Sequence, residues 1–418
     1  MSAVQSVQTW STRGENVTVS GLKVDNSLGT VTAEAFCGGL IGYQRTYTEK
    51  DREGGTLYAL LPGIAASNSN VPGTVKASTN THTITITADG NSAGRLSAVS
   101  NNMTIRAYAY AGGIIGSCEP QTQMKVEHCL NAGGFDRPTD DTFPDSKLKT
   151  GVDMVSYLQA QKYTDAAKAL SDELGSSELR VSVIGGVIGV NGENQVIDHC
   201  ASKGTMNGLN AMGGVVGLNE GIIRDCTLSG SMGSATQDYI GGIAGLNVGS
   251  RTAGTIENCT TEKNCTVTGR NTVGGIVGYA KMQTSENAAK LLNCTNHADV
   301  SGNLMVGGIV GTIDSQLIYQ GSYTDDDLAK IANIKEADND GLILCTAEVN
   351  DTTLQGKYFG GIAGYAEQSL IYDAASASGR AAQFSFDESK KTEYLKGKYV
   401  GGIVGYGNST LVNNCSTE

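Results

Sequence analysis

The side chains of this chain that could bind a metal ion are few. Its four histidines are His82, His128, His199 and His297. None of them lies in a His-Glu-x-x-His motif, and two of them precede a cysteine directly, in His128-Cys129 and His199-Cys200. Successive residues of a strand point to opposite faces, so the two side chains of each pair are not expected to share one zinc ion. We therefore expect no metal site and no cofactor.

Two groups of carboxylates could serve hydrolysis or bind calcium. They are Asp136, Asp140, Asp141 and Asp145 in one group, and Asp325, Asp326 and Asp327 in the other. Enzymes that cleave polysaccharides place carboxylates along one groove, whereas both groups fall outside the repeats described below. Trp10 is the only tryptophan that could stack on a sugar. We expect solvated loops here, no catalytic residues, and no enzyme.

A glycine phrase, Gly-Gly-x-x-Gly, organises the whole chain. Its nine copies begin at Gly38, Gly112, Gly185, Gly213, Gly241, Gly274, Gly307, Gly360 and Gly401. No Gly-Lys-Ser/Thr follows any copy, so the phrase is not a phosphate-binding loop. The closest copies are 28 or 33 residues apart. Such a period indicates stacked repeats.

A second phrase follows the glycines, in which an apolar stretch ends in cysteine. Examples are Val196 to Cys200, Ile222 to Cys226, Thr255 to Cys259, Leu291 to Cys294 and Leu411 to Cys415. A run this short cannot bury its apolar face alone, but it can when identical runs stack about 4.8 Å apart. The paired glycines suit tight corners, where positive φ is needed and a side chain would collide with the next coil. Helical repeats fit badly, because the i, i+3, i+4 apolar spacing is missing. The sequence therefore predicts an all-β fold, a parallel β-helix with short helical excursions.

The two phrases together resemble the GLUG motif. The resemblance is close over 185–315, good over 358–418, and limited to the glycine phrase at 37–43 and 110–129. GLUG motifs occur in large bacterial surface proteins and in the β-helical part of streptococcal zinc peptidases that cut immunoglobulin A. The resemblance implies a β-helical scaffold of a surface protein. It does not imply peptidase activity, because the zinc motif is absent from this chain.

The breaks in the repeat predict three regions. These are irregular coils over 1–129 with an excursion at 43–81, a loop-plus-helix excursion over 130–180, and regular coils over 181–418 with excursions at 285–292, 318–343 and 374–397. Apolar spacing predicts one helix from Val152 to Leu174, with Asp165 in the first turn of its second half. Thr324 is a candidate N-cap of another helix. Excursions on a solenoid often carry function, but they equally could cover apolar coil surface.

Cysteine and tyrosine each recur at one position of the repeat. The cysteines that share a position are Cys129, Cys200, Cys226, Cys259, Cys294 and Cys415. Neighbouring coils would allow disulfides, but small buried thiols pack well in a narrow solenoid and are favoured. Cys37, Cys118, Cys265 and Cys345 lie outside this pattern. Tyr43, Tyr279, Tyr365 and Tyr406 directly follow the glycine phrase, which predicts either an exterior tyrosine row or corner packing.

Charge and the missing segments bound the function. The net charge is −12, and the sequence shows no basic stripe of the kind that binds nucleic acid. We find no membrane span, signal peptide or capping element, and expect an excised part of a longer secreted protein. We predict a non-catalytic extracellular module of a bacterial surface protein that adheres to host glycoprotein, mucin or immunoglobulin. A pure spacer, which would bind nothing, and a polysaccharide-active enzyme, which would release sugar products, are the alternatives.

Overall fold

A computed structural model describes most of the chain. The described residues are 18–20, 23–24, 30–44, 94–97, 99–118, 124–160, 164–207, 210–249, 254–282, 289–316, 323–345, 357–376, 383–384 and 398–417. The expected excursion over 43–81 falls outside this set except at its first two residues, and 285–288 fall outside it as well.

The chain forms a parallel β-helix, as predicted, in which each coil adds one strand to each of several parallel sheets. Sheet 1 contains Ala35–Gly38, Ala109–Gly112, Ile184–Gly185, Met212–Gly213, Ile240–Gly241, Thr272–Gly274, Met305–Gly307, Lys357–Gly360 and Lys398–Gly401. Sheet 2 contains Ile41–Gln44, Ile115–Cys118, Ile188–Asn191, Val216–Asn219, Ala244–Val248, Val277–Lys281, Val310–Asp314, Ala363–Glu367 and Val404–Asn408. The glycine phrase is therefore the corner between these two sheets.

The rest of each coil supplies three further faces. Sheet 3 contains Thr18–Ser20, Gly94–Ser97, Met124–Glu127, Val196–Asp198, Ile222–Arg224, Thr255–Glu257, Leu291–Leu292, Ile334–Lys335, Leu370–Tyr372 and Leu411–Asn413. Sheet 4 contains Lys23–Val24, Ser100–Asn101, Leu130–Asn131, Ala201–Ser202, Thr227–Leu228, Thr260–Thr261, Thr295–Asn296, Asp338–Asn339, Ala375–Ser376 and Ser416–Thr417. Sheet 5 is in two parts, Thr30–Thr32, Thr104–Arg106 and Phe135–Asp136, then Met232–Gly233, Thr266–Thr268, Asp299–Gly302, Ile343–Cys345 and Gln383–Phe384. Bridges through Met206 join the parts.

The glycines of the phrase allow neighbouring coils to approach closely, and the prediction of positive φ at these glycines is wrong. No described glycine of the phrase has positive φ. A Cβ added to Gly275 would instead overlap the backbone carbonyl oxygen of Gly308, in the next coil. Left-handed residues recur at two other positions of the repeat. One is the residue before each ladder cysteine, for example Asp225 (φ 52°) and Asn258 (φ 52°), and the other is two residues before the glycine pair in the first five coils, for example Tyr110 (φ 52°). Asp and Asn tolerate this conformation better than most residues.

The recurring cysteines form a ladder of thiols inside the solenoid. Five of the six are buried and Cys415 is partly buried. The backbone N–H of Cys200 lies 3.4 Å from Sγ of Cys226, and all ten cysteines of the chain are free, as favoured from the sequence. Burial raises the pKa of Cys294 to about 12, so its thiol stays protonated. Ala337 and Ala374 fill the same position in two later coils, which shows that the core needs a small apolar side chain there.

The excursions differ in extent from those expected. The predicted single helix is two, α1 (Met154–Ala160) and α2 (Thr164–Leu174), after a short helix at Lys147–Thr150. Helix α1 begins two residues later than expected, because Val152 and Asp153 form a two-stranded antiparallel ribbon with Arg180–Val181. Oδ1 of Asp153 also accepts a hydrogen bond from the backbone N–H of Val155 at 3.2 Å. Asp165 lies in the first turn of α2, as predicted.

The second excursion holds helix α3, Asp325–Ile331, and Thr324 is its N-cap, as predicted. Thr324 and Asp327 form a reciprocal capping box. The expected range of 318–343 was too long, because Ile334–Lys335 and Asp338–Asn339 pair with the coils on both sides. In the same way, Ala375–Ser376 and Gln383–Phe384 within 374–397 are coil strands. Short polar strands were hidden in these ranges because they carry little apolar periodicity.

Candidate functional site

Two rows of side chains point outward beside the glycine corner and form one stripe, called here the outer stripe. The row of sheet 1 includes Thr272, Met305, Tyr358 and Tyr399. The row of sheet 2 includes Leu246, Tyr279, Thr312, Tyr365 and Tyr406. Stacking in register places equivalent residues of each coil above one another. The stripe therefore runs the length of the solenoid.

Helices α1 and α2 cover the earlier coils of the outer stripe. Leu158 and Leu170 of these helices pack in one cluster with Leu218, Leu246 and Tyr279 of the stripe, and all five are at most 1% exposed. The cover extends to the coil of Val310–Asp314, where Nε2 of Gln316 donates to Oδ2 of Asp165 at 3.2 Å. The 130–180 excursion thus covers apolar coil surface. Tyr279 is packed under it and is not part of an exterior row.

In the last two coils the outer stripe emerges as a group of four tyrosines, called here the tyrosine cluster. Its members are Tyr358, Tyr365, Tyr399 and Tyr406. The ring centroid of Tyr358 lies 5.3 Å from that of Tyr399 and 5.0 Å from that of Tyr406. Tyr365 and Tyr406 stack at 5.6 Å with an interplanar angle of 11°. Tyr358 and Tyr365 are partly exposed with a coil on each side, and Tyr399 and Tyr406, in the last coil of this sequence, are 49% and 39% exposed. The cluster is a preassembled aromatic surface that faces solvent.

A polar row follows the edge of the tyrosine cluster in sheet 2. It consists of Lys281, Asp314, Glu367 and Asn408, in register on successive coils. The Tyr365 hydroxyl donates to Oε2 of Glu367 at 3.0 Å, and Nδ2 of Asn408 donates to Oε1 at 3.3 Å. Nζ of Lys281 lies 2.8 Å from Oδ1 of Asp314. These contacts fix carboxylate and amide groups beside the aromatic rings.

Two pKa shifts describe the electrostatics of this edge. Burial raises the pKa of Tyr365, and the hydrogen bond to the Glu367 carboxylate raises it further, so the phenol remains a neutral donor. Burial also raises the pKa of Asp314, although the ion pair with Lys281 opposes that shift. Aromatic faces beside hydrogen-bonding groups can take the apolar face of a sugar ring and its hydroxyls together. The cluster therefore suits a ligand with an apolar face and a hydroxylated rim.

The carboxylate groups singled out from the sequence do not come together at this site. Asp136 pairs with Arg106 at 3.3 Å, and Asp140 pairs with Arg137 at 3.4 Å in an exposed loop. Asp327 caps helix α3, and its neighbours Asp325 and Asp326 lie in the first turn of that helix. These three carboxylates stabilise the N-terminal end of the helix, where the helix dipole favours negative charge.

Sequence reasoning missed half of the tyrosine cluster. Tyr358 and Tyr399 both stand two residues before a glycine pair, in Lys-Tyr-Phe-Gly-Gly and Lys-Tyr-Val-Gly-Gly. Tyr110 and Tyr239 share that position, so the signal was present in the sequence. The register of sheet 1 is what brings the two later residues next to Tyr365 and Tyr406.

The histidines near the ladder cysteines lie on the outside, as the strand argument predicted. His128 is exposed whereas Cys129 is buried. However, Nδ1 of His199 lies 2.6 Å from Oδ1 of Asp198 and 3.9 Å from Oδ2 of Asp225. Burial would raise the pKa of Asp198, but Lys125, His199 and Arg224 together lower it. The proximity of Asp225 could not be read from the sequence without the register of coils.

Comparison of the chain with protein-family models, with curated proteins and with solved structures finds no match. Among the described residues, no helix is long and apolar enough to cross a membrane.

Proposed function

We propose that this chain is a non-catalytic extracellular module of a bacterial surface protein, which binds glycan chains through the tyrosine cluster. The resemblance to GLUG-motif surface proteins supports the location. The partial exposure of Tyr358 and Tyr365, beside the hydrogen-bonded Glu367 and Asn408, supports the ligand class. Host glycoproteins, mucin and immunoglobulin all carry such chains, and mucin carries them most densely. Mucin is therefore the first partner to test.

The observation that carries this proposal is the opening of the outer stripe at Tyr358 and Tyr365, which are partly exposed although a coil lies on each side of them. In the earlier coils, among the side chains that the structure describes, the stripe is buried, with Leu246 and Tyr279 no more than 1% exposed beneath the helices. Aromatic contacts contribute about 0.5–1.5 kcal/mol each beyond area burial. A cluster of several rings therefore predicts millimolar to micromolar affinity for a single glycan. A mucin that offers many copies of the glycan would be held more tightly by multivalency.

The test is binding of the purified chain to mucin and to a panel of released neutral and acidic glycans, followed by calorimetry with the best glycan. We expect Tyr399→Ala and Tyr406→Ala each to weaken binding about tenfold, because one aromatic contact and its buried area are lost. Tyr399→Phe should retain most of the affinity. Tyr372→Ala, in sheet 3, removes a tyrosine away from the cluster and serves as the control.

A pure spacer remains the second candidate function, and one observation favours it. The 130–180 excursion, for which binding and covering of the coil were both left open, packs its helices against the coil and buries their apolar side chains. If the chain binds none of the glycans or mucin, the spacer function is supported and glycan binding is refuted. Equal loss of binding in Tyr372→Ala and Tyr399→Ala would also contradict the assigned site.

A further inference from the structure

Three successive coils place potential metal ligands at one corner between sheets 3 and 4. His128, His199 and Asp225 each precede a ladder cysteine and adopt the left-handed conformation, with φ of 51°, 50° and 52°. Because the corner repeats in register, their side chains stack outside the solenoid. The ring centroids of His128 and His199 are 5.0 Å apart. The residues that precede the ladder cysteines thus form a row of polar side chains on the outside of the solenoid.

Asp198 completes a convergent set of ligand atoms. A carboxylate oxygen of Asp198, a ring nitrogen of His199 and a carboxylate oxygen of Asp225 all lie within 4.8 Å of one another. Nδ1 of His199 is 2.6 Å from Oδ1 of Asp198 and 3.9 Å from Oδ2 of Asp225. Ligands bound at about 2.1 Å from a first-row divalent ion are about 3–3.5 Å apart. Side-chain rotations that move these atoms by about 1 Å would therefore bring the three to ligand distance.

From this geometry we propose that Asp198, His199 and Asp225 bind a divalent transition-metal ion, with the ring of His128 next to that of His199. One imidazole with two carboxylates forms a donor set that suits Zn²⁺ and its first-row neighbours and is poor for Ca²⁺ or Mg²⁺. The site would lie on the outer surface, and water would fill any remaining coordination position. This inference is independent of glycan binding at the tyrosine cluster.

The surrounding side chains hold the two aspartates in place and leave one oxygen of each facing His199. Nζ of Lys125 lies 2.8 Å from Oδ2 of Asp198, which leaves Oδ1 turned toward His199. Nδ2 of Asn258 donates to Oδ1 of Asp225 at 3.2 Å, which leaves Oδ2 on the histidine side. Such outer contacts fix first ligands in place. The nearby cations do not outnumber the carboxylates, since Lys125 and Arg224 stand against Asp198, Asp225 and Glu127.

The experiment is calorimetric titration of the chelator-treated chain with Zn²⁺ at neutral pH, together with the visible absorption spectrum of the Co²⁺-loaded chain. We expect one Zn²⁺ per chain with a micromolar dissociation constant. His199→Ala and Asp225→Asn should each weaken binding at least tenfold, and His128→Ala should weaken it less. The matched control is His297→Ala, because His297 also contacts an aspartate, Asp340 at 2.5 Å, but has no second carboxylate in a ligand cluster.

Each outcome decides the proposal. Loss of binding in His199→Ala and Asp225→Asn, with His297→Ala unchanged and all thermal midpoints alike, supports it. Absence of Zn²⁺ binding at millimolar concentration overturns it, and so does unchanged affinity in His199→Ala. Intense near-ultraviolet thiolate-to-Co²⁺ bands would show that the ion binds cysteines instead, which also overturns the site. Equal weakening in His297→Ala would show non-specific binding to histidine.

Discussion

One carboxyl group is buried in its neutral form, and it should make the free energy of unfolding of this chain fall as the pH rises. Glu220 follows the sheet 2 strand Val216–Asn219 and is fully buried in the chain. Burial raises its pKa from 4.5 to about 8, whereas the hydroxyl of Tyr157 in α1 partly opposes the shift and Glu193 adds to it. The folded chain therefore holds Glu220 neutral at a pH where the unfolded chain ionises it.

The sign and size of the effect follow from this shift. A carboxyl group with a raised pKa contributes stability that is fully present below pH 4.5 and is lost as the pH rises toward about 8. At about 1.4 kcal/mol per unit of pKa, the whole loss is on the order of 5 kcal/mol. The contribution should lie in the coils covered by α1, because the carboxyl group is buried there. Replacement of Glu220 by glutamine should remove most of this pH dependence, because the amide does not ionise.

The assay is thermal and urea unfolding of the wild-type chain and of Glu220→Gln between pH 5 and pH 8.5. The raised pKa values of Asp314 and Asp338 add a loss near the acidic end, so the difference between the two chains isolates Glu220. The matched control is Glu262→Gln, which changes an exposed carboxylate that does not contribute to the pKa shift of Glu220. We expect the wild-type midpoint to fall relative to Glu220→Gln as the pH rises. Parallel curves for the two chains would refute the assigned burial of a neutral carboxyl group.

Two further predictions concern the coils. Gly361→Ala should destabilise by about 3 kcal/mol or more, because its Cβ overlaps the backbone carbonyl of Gly402. Gly402→Ala, at the same repeat position, should cost only about 1 kcal/mol, because its Cβ meets the side chain of Thr417, which can move. Equal urea midpoints for the two variants would show that coil contact does not set the glycine requirement. For the thiols, titration of the native chain should find few reactive groups, and denaturation without reductant should expose most of the ten cysteines. Detection of none after denaturation would indicate disulfides.

The excursion at 130–180 shows why its role required the tertiary structure. Its apolar residues, such as Leu158 and Leu170, predict a buried face in any reading of the sequence. The surface that these residues cover is the outer stripe at Leu218 and Leu246. Those coil residues occupy a position that other coils fill with Thr312 or Tyr365, so the need for a cover varies along the solenoid. Local periodicity carries no information on that pairing.

The sequence by itself determined the fold, because the repeat imposes it. A phrase that recurs every 28 or 33 residues and ends in short apolar runs leaves stacking of identical runs as the way to bury them. The thiol ladder, the outward histidines and the cap at Thr324 followed from local chemistry. Positive φ was assigned to the wrong residues, because close approach of backbones explains the glycines as well as a left-handed turn does.

Only the tertiary structure decided which residues of different coils share a site. Tyr358 and Tyr406 are far apart in the sequence and 5.0 Å apart as rings, because sheets 1 and 2 meet at the glycine corner. Asp225 reaches His199 because one coil advances the chain by a single strand spacing. The sequence fixes the coil type, whereas the register and the insertions between coils fix what lies across each corner. Function on a repetitive scaffold depends on those cross-coil contacts, which no single repeat contains.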